Sequence, residues 1–483
     1  MPRTSCGTGS APTAPRSMTC RPGELWGEMV KTEIGIRAAA SYFPRYRLTG
    51  AEIARSHNRE GGRGERSLAG PDEDSLTLAI EAARRLPTDA LRQTKALVFC
   101  STTAPYLVKN NASAAHAALG LDPNVPAYDA GGSLRSVLGV LLSAEPGTLI
   151  LAGDINTSRP GSPIELLHGD AGAALLVGDA DSAAAVITGS VSMTEEIQDH
   201  WRDPKKPWIS QSEDRFPVSR YLSLLSDALK DSQVDTCDQV VVSAPSARLT
   251  KVAGKELSAL GTVHTLDGVG YAGTADLLVK LSDALAAASS GHTLTAVSLA
   301  DGCDVLTVRV TDNVHGAFHP GPIDSGVVPS YLDALTWRGI LDREPPRRPE
   351  PRTVSAPAAM RGVKWKYALQ GSTCLACGNV STPPQQVCVR CGSTEHGDPV
   401  VMTDKNATIR TFSVDRLAYT LNPPMVAAVV GFDGGGRLEV EITDTDPDSL
   451  FVGAPARMTF RRRHSSGGVH NYVWKATAEG GAQ

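Results

Sequence analysis

No apolar run in this chain approaches the roughly 20 residues that cross a bilayer, so no membrane partner is expected. Aromatic residues are sparse, at 5%. The formal net charge of −5 is too mild to imply a nucleic acid or an anionic surface as partner. The one basic run, Arg461-Arg-Arg-His, has no interleaved aromatic ladder, which argues further against nucleic acid. Its bland reading is a solvated hairpin, and its sharper one is contact with the phosphates of CoA. Residues 1–28 are rich in Ser, Thr, Pro, Gly and Arg and contain no apolar core of the signal-peptide kind. They read as a disordered tail or a mis-called start, since MVKTEIGIRAAASYFPRY from Met29 begins like a folded domain. Nor is there a disulfide framework. Five of the nine cysteines are scattered and four are clustered, a distribution that suits a metal site in a reducing cytoplasm.

What is present is ordinary globular material, 41% apolar, in a 483-residue chain long enough for two or more domains. Short apolar runs predict strands over 34–43, 96–100, 125–129 and 148–152, with helices over 72–86, 111–119 and 133–144 between them. A similar set follows a loop at 195–213. It has helices at 215–230, 247–260 and 274–289 and strands at 239–243, 293–299 and 305–311. Such alternation reads as α/β with both sheet faces covered, roughly duplicated. The expected organisation is a domain over 29–312, with halves at about 29–192 and 193–312. A Pro- and charge-rich linker over 313–363 carries a helix at 331–341, and REPPRRPEPR in it reads as an extended connector. A zinc ribbon over 364–395, a barrel over 396–477 and a tail over 478–483 complete the chain.

Cys374-Leu-Ala-Cys377 and Cys388-Val-Arg-Cys391 are two C-x2-C knuckles ten residues apart, each followed by a glycine for the positive-φ turn. Four thiolates at this spacing suit Zn2+ in a closed, structural site with no open coordination position. Five short strands then follow, divided by Gly-rich turns such as Asp433-Gly-Gly-Gly, as in a small OB-like barrel.

The stretches IGIRAAASYFPRYRLT, DEDSLTLAIEAARR, FCSTTAPYLVKNNASAAHAALGL, HGDAGAALLVGD and LADGCDVLTVRV occur in order over residues 34–312. Together they resemble the thiolase superfamily, in its ketoacyl-ACP synthase III and hydroxymethylglutaryl-CoA synthase branch. GSTCLACG, VCVRCGS, FSVDRLAY and VHNYVWKA resemble the zinc-ribbon/OB-fold proteins that accompany thiolase-like enzymes. The resemblance implies a five-layered α/β/α/β/α thiolase fold with a C-terminal zinc ribbon and a five-stranded OB-like barrel. It also implies a CoA or phosphopantetheine thioester as substrate, delivered as acyl-CoA or on an acyl-carrier protein. Expected partners are a second copy of the chain or a thiolase-like paralogue.

The family's acyl-accepting cysteine sits in the strand–turn–helix that here is residues 127–142, where Leu134 takes its position between Asp129 and Arg135. Its histidine, in an H-x-P context, falls on Ser243 of Ser243-Ala-Pro245. Its asparagine falls on Val269, in Gly268-Val-Gly-Tyr-Ala-Gly273, and its glutamate near Thr102. All four chemical positions are replaced, so the usual mechanism is not available. Ser133 could serve as a nucleophile, against a turn or N-cap role. Tyr271 and Ser243 could polarise a carbonyl, against a buried, satisfied tyrosine. Cys100 could be a relocated nucleophile, against a structural thiol. His116 and His168 read as structural or rim residues. Two functions remain: an enzyme for acyl transfer or aldol-type C–C chemistry through a divergent site, or a non-catalytic scaffold that handles substrate for an active thiolase.

Overall fold

The structure, a computed structural model, describes residues 33–213, 215–323, 326–344 and 355–478. The N-terminal tail over 1–28, most of REPPRRPEPR and nearly all of the C-terminal tail lie outside the described residues. Two units of the same element order follow one another. The first is β1 (Ile34–Tyr42), α1 (Ser75–Ala83), β2 (Ala96–Ser101), α2 (Ala112–Ala118), β3 (Ala127–Gly131), α3 (Ser136–Ser143), β4 (Thr148–Asp154) and β5 (Ala171–Gly178). The second is β6 (Ala185–Thr194), α4 (Arg215–Ser232), β7 (Gln239–Ser243), α5 (Ala247–Leu257), β8 (Thr262–His264), α6 (Asp276–Ala287), β9 (Thr293–Leu299) and β10 (Gly302–Val310).

The strands run in the order β8-β7-β9-β10-β6-β1-β5-β4-β2-β3. Each half has three parallel strands followed by two antiparallel ones, and β1 meets β6 antiparallel at the join. The halves therefore match strand for strand. Strand β6, which local sequence pattern does not mark, is the counterpart of β1 and straddles the expected division at 192/193.

Period-two alternation sorts the side chains into layers. On β4, Ile150 and Ala152 face α3 and α6, while Leu149 and Leu151 face α1 and α2. On β7, Val241 points inward and Val240 and Val242 face α4 and α5. Helices α3 and α6 thus form the middle of five layers, α/β/α/β/α.

Five strands close the barrel: β11 (Ala407–Asp415), β12 (Met425–Phe432), β13 (Arg437–Ile442), β14 (Pro455–Ser466) and β15 (Val469–Ala478). Its core residues Phe460, Tyr472 and Trp474 are continuous with those of α1 and α2. All of α1 is buried, because the sheet covers one side and the barrel the other. The acidic run before α1 divides its labour. Asp74 is the N-cap, closing a capping box with Thr77, and its other oxygen accepts from the Tyr472 hydroxyl at 2.8 Å. Asp72 and Glu73 instead meet Arg461, which is 1% exposed. That guanidinium lies 3.8 Å from Asp72, 3.2 Å from Glu73 and 2.7 Å from Asp444, and also donates to the Tyr42 hydroxyl. Burial alone would raise the Asp72 carboxyl, but Lys475 and Arg461 together hold it below its ordinary value.

The solvated-hairpin reading of the basic run therefore fails at Arg461, and the next two arginines are paired rather than free for phosphates. Arg462 lies 3.6 Å from Asp74, and Arg463 lies 2.7 Å from Glu441. The expected helix at 331–341 is shorter, α7 (Tyr331–Trp337), ending before Gly339 at φ +66°. It is docked on the first half, with the Tyr331 hydroxyl on Glu165 at 2.9 Å and the Trp337 indole on the Leu421 carbonyl of the barrel. A further helix, α8 (Ala356–Lys366), precedes the cysteine knuckles where none was expected.

Removing one partner of a buried ion pair leaves the others uncompensated, at a cost of about 3–5 kcal/mol. Arg461→Met is expected to lower the stability of the folded chain by that amount in urea denaturation at pH 7. An unchanged midpoint would mean the cluster contributes nothing.

Candidate functional site

The C-terminal ends of β2 and β4 from the first half meet the Gly268–Gly273 turn of the second. Their junction is Asp154, the last residue of β4 and 3% exposed. Its carboxylate accepts from the Ser101 hydroxyl, from the amides and hydroxyls of Thr102 and Thr103, and from the amide and hydroxyl of Thr274, all between 2.8 and 3.0 Å. A second buried carboxylate, Asp170, accepts from the Ala69 and Asn156 amides at 2.6 Å and pairs with Arg338 just beyond α7. Between these anchors Gly169 passes so close to the Val269 carbonyl that a β-carbon would overlap it, so the HGD stretch requires glycine there.

Of the expected site residues, Leu134 is half-buried in the turn between β3 and α3, and helix α3 starts at Ser136, three residues later than the sequence suggests. The turn is clamped to the second half by Arg135, whose guanidinium is bidentate to Asp304 at 2.7 and 2.8 Å. Ser133 Oγ accepts the Arg135 amide at 3.1 Å, and among the described residues no histidine bonds to it. Cys100 is fully buried on β2, and burial pushes its thiol up to about 12, so it is an inert thiol rather than a thiolate. Thr102 spends its hydroxyl on Asp154, and its carbonyl accepts from Arg202.

Val269 does not line a pocket. Its side chain is 1% exposed in the core, and its carbonyl accepts from the Ser67 amide and hydroxyl. Ser243 ends β7, buried, and among the described residues no hydrogen bond joins it to Tyr271. What links them is His168. Its Nε2–H donates to the Pro245 carbonyl at 2.9 Å, and its ring lies 5.2 Å from that of Tyr271. Burial drives the Tyr271 hydroxyl well above its ordinary value and lowers His168 to about 4, so both are neutral near pH 7. His168 is thus structural, as its position before β5 suggests, but it stands inside the site. His116, by contrast, bonds the Asp122 carbonyl on an accessible surface.

Sequence reasoning passed over Asp154, Asp170 and the segment 195–213, because nothing local signals them. That segment forms a small hairpin, His200–Trp201 against Ser210–Gln211, which covers Thr102 through Arg202 and brings the His200 ring within 5.8 Å of His168. The void beside it is about 10 Å3. A far larger cleft, about 1940 Å3, runs between the barrel and the first half, past Arg45, Tyr46, Tyr419 and Arg463, and none of the expected catalytic positions lines it.

At the cysteine cluster, the ligating atoms of Cys374, Cys377, Cys388 and Cys391 lie within 4.8 Å of one another. The Cys374–Cys391 and Cys377–Cys388 sulfurs are 3.5 and 3.6 Å apart. Tetrahedral thiolates about 2.3 Å from a metal stand about 3.8 Å from each other, so the set fits a four-coordinate ion. The two knuckles are built alike: the amides of Gly378 and Gly392 donate back to Cys374 and Cys388 at 2.8 and 2.9 Å. The arrangement holds a fold together and offers no open coordination position.

Two sheets about a shared helical layer, joined to a ribbon and a closed barrel, define a thiolase-like protein with an OB-fold domain. Residues 400–461 match the family described as ChsH2, C-terminal OB-fold domain. The chain is 27% identical over 324 residues to a hydroxymethylglutaryl-CoA synthase of Aeropyrum pernix, covering 61% of this chain and 89% of that one. Against that of Methanosarcina barkeri it is 26% identical over 335 residues, covering 62% and 95%. In fold it matches an HMG-CoA synthase complexed with CoA at a TM-score of 0.54, with 16% identity over 67% of this chain and 94% of that one. MvaS in complex with 3-hydroxy-3-methylglutaryl coenzyme A gives 0.53, with 17% identity over 67% and 95%. This chain has the thiolase-like fold of the hydroxymethylglutaryl-CoA synthases, carrying a C-terminal OB-fold domain.

Two outcomes are expected. His168 titrates near 4 folded and near 6.5 unfolded, so the unfolded state binds more protons between those values and stability falls as pH drops through them. The loss reaches about 3 kcal/mol, and His168→Gln removes it, as denaturation from pH 7 to 4 would read. Native mass spectrometry should find one divalent ion per chain, lost in Cys388→Ser with a lower melting temperature. An ion-free chain of equal stability would refute the metal site.

Proposed function

We propose that this chain binds an acyl-CoA or acyl-carrier-protein thioester and carries out acyl transfer or aldol-type C–C chemistry without a cysteine nucleophile. The observation that carries this reading is the junction at Asp154. Hydrogen bonds there fix the strand ends and the Gly268–Gly273 turn of opposite halves around a buried polar group of His168, Tyr271 and Ser243. A fold kept only for its shape has no need of such a group at that point. The relatives are named hydroxymethylglutaryl-CoA synthases, which supports the thioester substrate class. With Leu134 in the turn and Cys100 inert, any chemistry proceeds by hydrogen-bond polarisation and proton transfer rather than through an acyl-enzyme. We infer that the four-cysteine site holds zinc, in a purely structural role.

A second reading, a non-catalytic scaffold paired with an active thiolase, is favoured by Leu134 and by the smallness of the void beside the site. Either reading gains from pairing through the free edge of β3. Tyr128 is 60% exposed there, and the adjoining loop exposes Leu107 and Val108 at 89% and 99%. We propose that this edge takes a second copy of the chain or a thiolase-like paralogue.

Incubation with a panel of acyl-CoAs and acyl-carrier proteins, read by intact mass and CoA release, tests the function. Turnover without a covalent adduct is expected. An adduct would contradict the cysteine-independent route and point to Ser133 or Cys100. Binding without turnover would favour the scaffold.

A further inference from the structure

His200 is a buried imidazole whose ring completes no hydrogen bond among the described residues. Its side chain is 5% exposed. Nδ1 lies 3.3 Å from Asp199 Oδ2, within ion-pair range but not aligned as a hydrogen bond, and Nε2 has no hydrogen-bond partner. The ring borders the void of about 10 Å3, whose lining includes Asp199, Ser212, Tyr221, Ser246 and Leu249. The Ser212 hydroxyl in that lining is likewise buried and unpartnered. An unsatisfied buried donor or acceptor costs roughly 1–3 kcal/mol, and such groups are few in native proteins. Three such atoms around one void mark a place where a polar atom from outside the chain belongs.

The position of that void gives the group a role. His200 stands 5.8 Å from His168, which holds the Pro245 carbonyl next to the position where the resemblance calls for a histidine and this chain has Ser243. Arg202, two residues on, bonds the carbonyl of Thr102 on the opposite side of the site. His168 cannot move a proton near neutral pH, because burial keeps it uncharged and its Nε2–H is committed to Pro245.

We propose that His200 is the general base and acid of this site, oriented by Asp199. This rests on the enzymatic reading above and names its proton carrier. Nε2 removes a proton from the carbon α to the thioester carbonyl, and the C–H electron pair moves into the enolate. The enolate attacks a second carbonyl carbon, a C–C bond forms, and the resulting alkoxide takes the proton back from Nε2. No oxidant, reductant or metal enters the balance. Asp199 is a positioning residue. It faces the ring at Nδ1, and the other titratable groups around it are His168, Tyr221, Tyr271 and Asp301.

The test uses the full chain with acetyl-CoA in D2O, following α-hydrogen exchange by mass spectrometry, a readout that needs no knowledge of the second substrate. Wild type should exchange, and His200→Phe should lose at least about 100-fold in rate while keeping its melting temperature, since an aromatic ring of similar size replaces unsatisfied polar atoms. His200→Gln serves as a second variant with the same expected loss. Asp199→Asn should move the midpoint of the pH–rate profile downward, because a neutral amide no longer favours the imidazolium. A wild type that turns over thioesters while both His200 variants stay within twofold overturns this inference alone, and the void then holds a structural water only. A wild type that neither exchanges nor turns over any thioester overturns the enzymatic reading, and this inference with it.

Discussion

The site depends on one carboxylate. Asp154 ends a strand of the first half, yet two of its donors, the amide and hydroxyl of Thr274, belong to the second. Its remaining donors come from residues 101–103, so a single buried group sets the relative position of the polypeptide on both sides of the junction. A buried carboxylate with this many donors is stable only while every one stays in place. The geometry of the site is therefore tied to the packing of the two halves and not to the loops that decorate it. That is why the frame persists here although the residues usual for the chemistry do not.

The barrel is held by the same kind of logic on the opposite face of the first sheet. Arg461 is a fully buried cation whose partners Asp72 and Glu73 precede α1, while Asp444 comes from the barrel itself. Detaching the barrel would strip α1 of its outer cover and leave charges of both signs without partners. The continuity of the apolar core through Phe460, Tyr472 and Trp474 works in the same direction. The OB-fold domain is thus a further layer of the molecule, and the large cleft beside it is a feature of two surfaces fixed against each other.

Much of this was legible in the sequence, and the boundary of legibility has physical causes. Period-two alternation and short apolar runs announce β4, β7 and the barrel strands, because local pattern decides which face is buried. The cysteine knuckles are equally plain, since four ligands at fixed spacing need no tertiary information. By contrast, β6 went unmarked because its outer half, Gly189–Thr194, alternates exposed and partly exposed residues with no apolar face. Arg461 looked like part of a solvated run because its partners Asp72 and Glu73 lie hundreds of residues away, and charge alone says nothing of burial. The replacement of the four chemical positions was readable residue by residue. Val269, however, sits at its expected place in the turn and still contributes only core and a carbonyl. His200 had no signal at all, lying in a stretch that reads as loop.

That last silence bears on how a condensing scaffold diverges. Losing the thiolate removes the covalent route, but aldol chemistry between two carbonyl compounds needs only a base near the α-carbon and donors near the oxygen that becomes negative. Neutral, buried hydroxyls such as that of Tyr271 stabilise developing charge better in a dry site than in water. The proton carrier must be different in kind: it has to change charge during the reaction, so it cannot be locked in one state by burial and a committed hydrogen bond. His168 is locked in that way and His200 is not. Of the two imidazoles at this junction, the chain has satisfied one completely and left the other open.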